Sequence, residues 1–211
     1  MAVKTNHVLF SGITVVVLLI IFYSFSDIQV SDQYLDGIRK FRADKNAQFR
    51  TDDSSPIPAG ERGSFGGLAY YEPDPAYRTN ATLELLTDSA EVAVPTNTSE
   101  ARPMRRYAHA KFSLNGQAAQ LTLFRYLDES ADQNKLFLPF ADATNGQETY
   151  GMGRYLDVDL AQVRANQAVI DFNLAYNPYC AYADEFSCPL PPPENKLKIK
   201  VLAGEKAYPK D

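Results

Sequence analysis

The chain has no tryptophan, two cysteines and two histidines in 211 residues, and each scarcity removes a class of chemistry. His7 lies beside a long apolar run, which leaves His109 as the sole imidazole in the rest of the chain. Zinc sites built from several histidines are thereby excluded, and any Ser-His or Cys-His pair would have to use His109. Without tryptophan, the stacking of a sugar ring would fall to the 13 tyrosines. There is no phosphate loop, and Gly151 with Gly153 fails as a dinucleotide fingerprint because Leu156 occupies the place of the third glycine. No cofactor and no metal is expected.

What the chain does have is one uncharged run, residues 8–26, VLFSGITVVVLLIIFYSFS. At roughly twenty residues it spans about 30 Å as a helix, the thickness of a hydrocarbon core. Lys4 precedes it and Asp27 follows, so the positive-inside tendency places residues 1–7 in the cytoplasm and the remainder in the periplasm or outside the cell. The rival is a cleaved signal peptide with a cut near Ser24 to Ser26; bulky Phe22 and Tyr23 beside that cut favour the uncleaved anchor. With Lys4 set aside, 20 basic residues face 26 acidic ones, an external net charge of −6. An acidic domain is a poor partner for nucleic acid.

Residues 27–50 read as an amphipathic linker helix capped by Ser31, with Tyr34, Ile38, Phe41, Lys45 and Phe49 recurring at three- and four-residue steps. Residues 51–211 form the β-domain. Its period changes to two at Arg78, and Val92 with Val94 continues the alternation. Asn115 and Gly116 predict a two-residue hairpin in which Leu114 faces Gln117, Phe112 faces Ala119, Ala110 faces Leu121 and Ala108 faces Leu123. A second such turn at Asn145 and Gly146 would set Phe140 opposite Gly151 and Leu138 opposite Gly153. Strands are also expected at 168–173 and 196–201. The fold class is mainly β, an antiparallel β-barrel or β-sandwich preceded by one transmembrane helix and one amphipathic helix.

The segment 171–195, DFNLAYNPYCAYADEFSCPLPPPEN, can be neither regular helix nor regular strand. Long ordered loops usually serve a site. Cys180 and Cys188 are spaced too widely for a zinc ribbon. Outside the cytoplasm they read first as a structural disulfide, against a thiol or metal role or two buried unpaired thiols. The carboxylates Asp142, Glu148, Asp157 and Asp171 lie on or beside strands, with Arg154 between them in sequence as an ion-pair partner.

The stretches ERGSFGGLAYYEPDPAYR, FADATNGQETYGMGRYLD and DFNLAYNPYCAYADEFSCPLPPPENKL resemble, in that order, the bacterial domain of unknown function family 1684. The resemblance runs from Tyr34 to Tyr208. It implies that the Asn145 hairpin and the cysteine-bearing loop belong to one recurring unit, and it carries no assigned chemistry.

Two functions follow from the residues. The first is a binding or envelope-interaction module, joined to the membrane through residues 8–26, that takes a small molecule or an envelope partner. Its polar pocket would lie where the Asn145 hairpin meets the long loop, with Arg154, Tyr155, Asn173, Tyr176, Asn177, Tyr179, Glu194 and Asn195 as candidate ligand-binding residues. The second is a glycoside-type hydrolase using Asp142, Glu148 and Asp171 as acid and base.

Overall fold

The computed structural model describes residues 32–87, 91–128 and 131–209. The expected membrane segment, 8–26, and the Ser31 cap lie outside the described residues. Among the described residues no helix is long and apolar enough to cross a membrane.

Residues 32–51 form the expected helix, α1. Its buried stripe differs from the expected one: Ile38, Arg42 and Phe49 are buried, whereas Phe41 is 43% exposed. Arg42 replaces Phe41 because its guanidinium has acceptors. It donates to the carbonyls of Tyr71 at 2.7 Å and Asn173 at 3.2 Å and lies over the Tyr70 ring. A charge is buried at acceptable cost only when paired in this way.

Within the unit Arg42–Asp211, seven strands form one antiparallel sheet, curled into a half-barrel. They are β1 (Arg78–Leu85), β2 (Glu91–Pro95), β3 (Ala101–Leu114), β4 (Gln117–Tyr126), β5 (Lys135–Phe140), β6 (Arg154–Asp159) and β7 (Gln167–Asp171). The order is β6-β5-β4-β3-β1-β7, and β2 also pairs with β3. β3 accommodates both β2 and β1 on one edge by length: Ala101 to Arg105 pair with β2, and Ala108 to Lys111 with β1. A bulge at Tyr107 separates the two halves. The expected barrel or sandwich is thus a single open sheet.

The β3–β4 hairpin has the expected register at every pair from Leu114–Gln117 to Ala108–Leu123. Asn115 and Gly116 both have positive φ, 51° and 76°, as this turn demands. Asn145 and Gly146 behave differently. Thr144 accepts from the backbone N–H groups of Gln147, Glu148 and Thr149, and Gly146 donates to Thr149. The Asn145 side chain accepts from the Asp142 N–H and donates to the Tyr150 carbonyl. Side-chain bonds therefore build a longer loop, and the register becomes Phe140–Arg154 and Leu138–Leu156 instead of the expected pairing with glycines. Residues 196–201 are not a strand; a single bridge joins Lys196 to Ala141.

Alternation assigns the two faces. Leu136, Leu138, Phe140, Leu156 and Val158 join Leu121, Leu123, Ala108 and Ile170 in the main core, which Val201 and Ala203 complete. Phe137 and Tyr155, pointing the other way, form a second cluster with Val94, Met104 and Phe124. Every side chain from Leu136 to Phe140 is thus buried on one face or the other, which explains that continuous apolar run.

Candidate functional site

Arg154, which alternation places on the main-core face, is fully buried. Its guanidinium pairs with Asp142 at 2.7 Å, both side chains shut off from solvent, and donates to the carbonyls of Val201, Ala203 and Glu205. Asp142 also accepts from the Thr144 N–H and hydroxyl and from the Val201 N–H. The pair stitches the irregular C-terminal segment to the sheet. Glu148 is held instead by Lys200 and the Tyr71 hydroxyl, and these hydrogen bonds lower its pKa. Asp171 accepts from the Asn173 N–H and lies beside Arg78. The three carboxylates considered for catalysis therefore have separate sets of partners.

The asparagines replace missing backbone partners. Asn173 exchanges two bonds with the backbone of Asp74. Asn177 donates from its side chain to Lys206. Asn195 contacts Thr122 and Pro139, and Glu194 pairs with Arg106. Glu205 is a buried hub: it accepts from Lys45, the Tyr182 hydroxyl and the Asn177 N–H.

The expected Cys180–Cys188 disulfide is not formed. Both residues are buried thiols, the third of the readings open to the sequence. The Cys180 N–H donates to the Cys188 Sγ at 3.2 Å. The Cys188 thiol is pushed far up by its hydrogen bond with the Cys180 side chain and by burial, which makes it a poor nucleophile. A short turn at Tyr179–Ala181 brings the two together.

Among the described residues, two cavities lie beside the long loop. One, of about 460 Å³, lies between the Asn145 loop and residues 190–197. Two of its polar lining groups are already engaged, Asp142 with Arg154 and Asn145 with its own loop, and Lys196 is the charged group that remains at its rim. The other, of about 480 Å³, is lined by Tyr126, Tyr155, Tyr176, Tyr179 and Phe186, with Arg102, Asp128 and Glu185 as charged groups. β3 supplies Arg102, β4 and the turn after it supply Tyr126 and Asp128, β6 supplies Tyr155, and the long loop supplies Tyr176, Tyr179, Glu185 and Phe186. The rings brace one another edge to face, Tyr155 on Tyr176 at 5.8 Å and Tyr179 on Phe186 at 5.2 Å. The Tyr155 hydroxyl is held by the Pro189 carbonyl and that of Tyr176 by Asp157. Among the described residues, the hydroxyls of Tyr126 and Tyr179 and the carboxylate of Glu185 have no hydrogen-bond partner.

Of the candidate ligand-binding residues, Tyr155, Tyr176 and Tyr179 meet in this cavity, while Arg154, Asn173, Asn177, Glu194 and Asn195 line neither cavity. Glu185 and Phe186 of the long loop, Asp128, and Tyr126 and Arg102 were not among the candidates; the last two were the hardest to find. They come from strands remote in sequence, and alternation on β3 and β4 is their only sequence signal: Met104 opposes Tyr126, and Arg102 shares the face of Met104.

Fold and cavity together define a half-barrel domain with a long irregular loop and a tyrosine-lined cavity beside it. The chain belongs to the family described as Protein of unknown function (DUF1684), whose model matches residues 63–206. It is similar to an uncharacterized protein of Haloarcula marismortui solved in solution by NMR, with 38% identity over 84% of this chain and 96% of the other and a TM-score of 0.65. No curated protein matches the chain.

Proposed function

We propose that the domain is a small-molecule binding module, carried outside the cytoplasm on the apolar segment 8–26, and that its site is the tyrosine-lined cavity. The observation that carries this reading is the convergence of unpartnered polar tips, those of Tyr126, Tyr179 and Glu185, on an aromatic cavity of ligand size. Asp142 and Arg154, by contrast, are consumed in holding the C-terminal segment. The test is ligand-observed NMR on the full chain in detergent, with neutral, anionic and cationic small molecules. Compounds that lose their saturation signal in Tyr179→Ala, but keep it in Met152→Ala at the other cavity, support the site. The opposite dependence would move the site to the Asn145 loop.

One observation favours the second reading, a hydrolase. Desolvation raises the carboxyl pKa of Asp157, against the lowering effect of the Tyr176 hydrogen bond. A raised carboxyl is what a general acid needs. Glycosidase activity in the full chain that disappears in Asp157→Asn would replace the binding reading.

A further inference from the structure

The composition of the cavity indicates what kind of ligand it takes, provided that it is the binding site proposed above. Its lining includes the rings of Tyr126, Tyr155, Tyr176, Tyr179 and Phe186, and its charged lining is Asp128 and Glu185 against Arg102. The Arg102 guanidinium reaches the Ser187 carbonyl at 3.4 Å, so its charge is directed at least partly towards the loop backbone. Asp157 lies behind Tyr176, bonded to its hydroxyl, and adds negative charge next to the ring. The face of an electron-rich ring attracts a cation, most strongly where water is excluded, and rings enclosing a site near carboxylates are the established means of holding alkylated ammonium groups. Tyrosine rings of the same domain already do this for its own side chains: Lys206 lies over Tyr71 at 4.7 Å, and Lys45 over the cavity's own Tyr176 at 4.9 Å, so that ring is already engaged by a cation. An anionic ligand would meet two lining carboxylates, and a purely apolar one would leave the Tyr126 and Tyr179 phenols and the Glu185 carboxylate desolvated without compensation.

We infer that this cavity binds an organic cation, specifically a methylated or quaternary ammonium group, with the Tyr126, Tyr155 and Tyr179 rings around the cation and Glu185 as its counter-charge. The cavity is large enough for substituents beyond the ammonium head.

The test is isothermal titration of the full chain with choline chloride and with 3,3-dimethylbutan-1-ol, its neutral isostere. Choline should bind about tenfold more tightly than the isostere, the ratio expected for a partly desolvated cation over aromatic faces. Glu185→Gln should weaken choline several-fold and leave the isostere unchanged, whereas Tyr179→Ala should weaken both. Equal affinity for the two probes overturns the cation inference while leaving a binding site in place. So does the absence of choline binding in a protein that still shows Tyr179-dependent signals from other compounds. If no compound depends on Tyr179, the binding reading falls together with the inference.

Discussion

Asn195 pairs its side-chain amide with the backbone of Thr122 as a neighbouring strand would: its Oδ1 accepts from the Thr122 N–H at 2.7 Å and its Nδ2 donates to the Thr122 carbonyl at 2.8 Å. The same Nδ2 reaches the Pro139 carbonyl on β5 at 2.7 Å. β4 and β5 share only the Phe124–Phe137 register pair, and one buried side chain bridges the place where their ladder is interrupted.

Asn195→Ala should accordingly be severe. It strands the buried backbone groups of Thr122 and the Pro139 carbonyl, at about 1–3 kcal/mol for each group left unsatisfied. Urea denaturation of the variant should show a lower midpoint. A midpoint within error of the parent would mean that water replaces the amide.

The Arg154–Asp142 pair should be structural. Arg154→Met leaves a buried carboxylate uncompensated, a loss of about 3–5 kcal/mol, or a fall in Tm of about ten degrees or more in a domain of this size. Asp142→Asn should also lower Tm. If it retains the parent Tm while a ligand-dependent signal is lost, the carboxylate belongs to a site instead.

Gly204 and Gly116 share a φ of +76° but should respond differently to alanine. At Gly116 a Cβ meets nothing within 4 Å, so Gly116→Ala costs only the left-handed backbone, about 1 kcal/mol. At Gly204 it would come within 2.6 Å of the Ala175 carbonyl oxygen. Gly204→Ala should therefore lower Tm well beyond Gly116→Ala, and equal shifts would show that the C-terminal segment yields freely.

Alkaline pH should destabilise the fold through its buried phenols. The Tyr71 phenol is pushed up to about 12, first by burial and then by its hydrogen bond to Glu148. Burial also raises Tyr70, Tyr155, Tyr176 and Tyr182. The folded chain holds these protons more tightly than the unfolded one, whose phenols titrate near about 10. The stability they contribute is complete below that value and is lost as pH rises towards 12 and beyond. The urea midpoint should fall between pH 9 and pH 11.5, with phenolate absorbance at 295 nm lagging behind that of free tyrosine. Smooth titration centred near 10 with an unchanged midpoint would contradict the burial.

Cys180 and Cys188 should behave as two thiols shielded by the fold. In protein purified without reductant, a thiol-specific chromogenic reagent should react slowly in the native state and release two equivalents after denaturation. An intact mass two hydrogens short, restored on reduction, would show that the chain forms the bridge after all.

The sequence determined by itself whatever depends on neighbours along the chain. The β3–β4 hairpin was legible because two residues able to adopt positive φ sit between two alternating runs, and α1 because its apolar residues recur at helical steps. The family resemblance was legible in three ordered motifs. Asn145 and Gly146 look like the same turn but fold otherwise, because the Asn145 amide finds Asp142, Thr149 and Tyr150, and that competition has no local signature. Only the tertiary structure decided that Arg42 is buried in place of Phe41, that Asp142 is spent on Arg154, and that residues 196–201 meet residues 141–143 through a single bridge and not as a strand. It also brought Tyr126 of β4, Tyr155 of β6 and Tyr179 of the long loop around one cavity. Local pattern reports which face a side chain takes; whether it meets solvent, a carbonyl or an opposite charge there is set by segments far away in sequence.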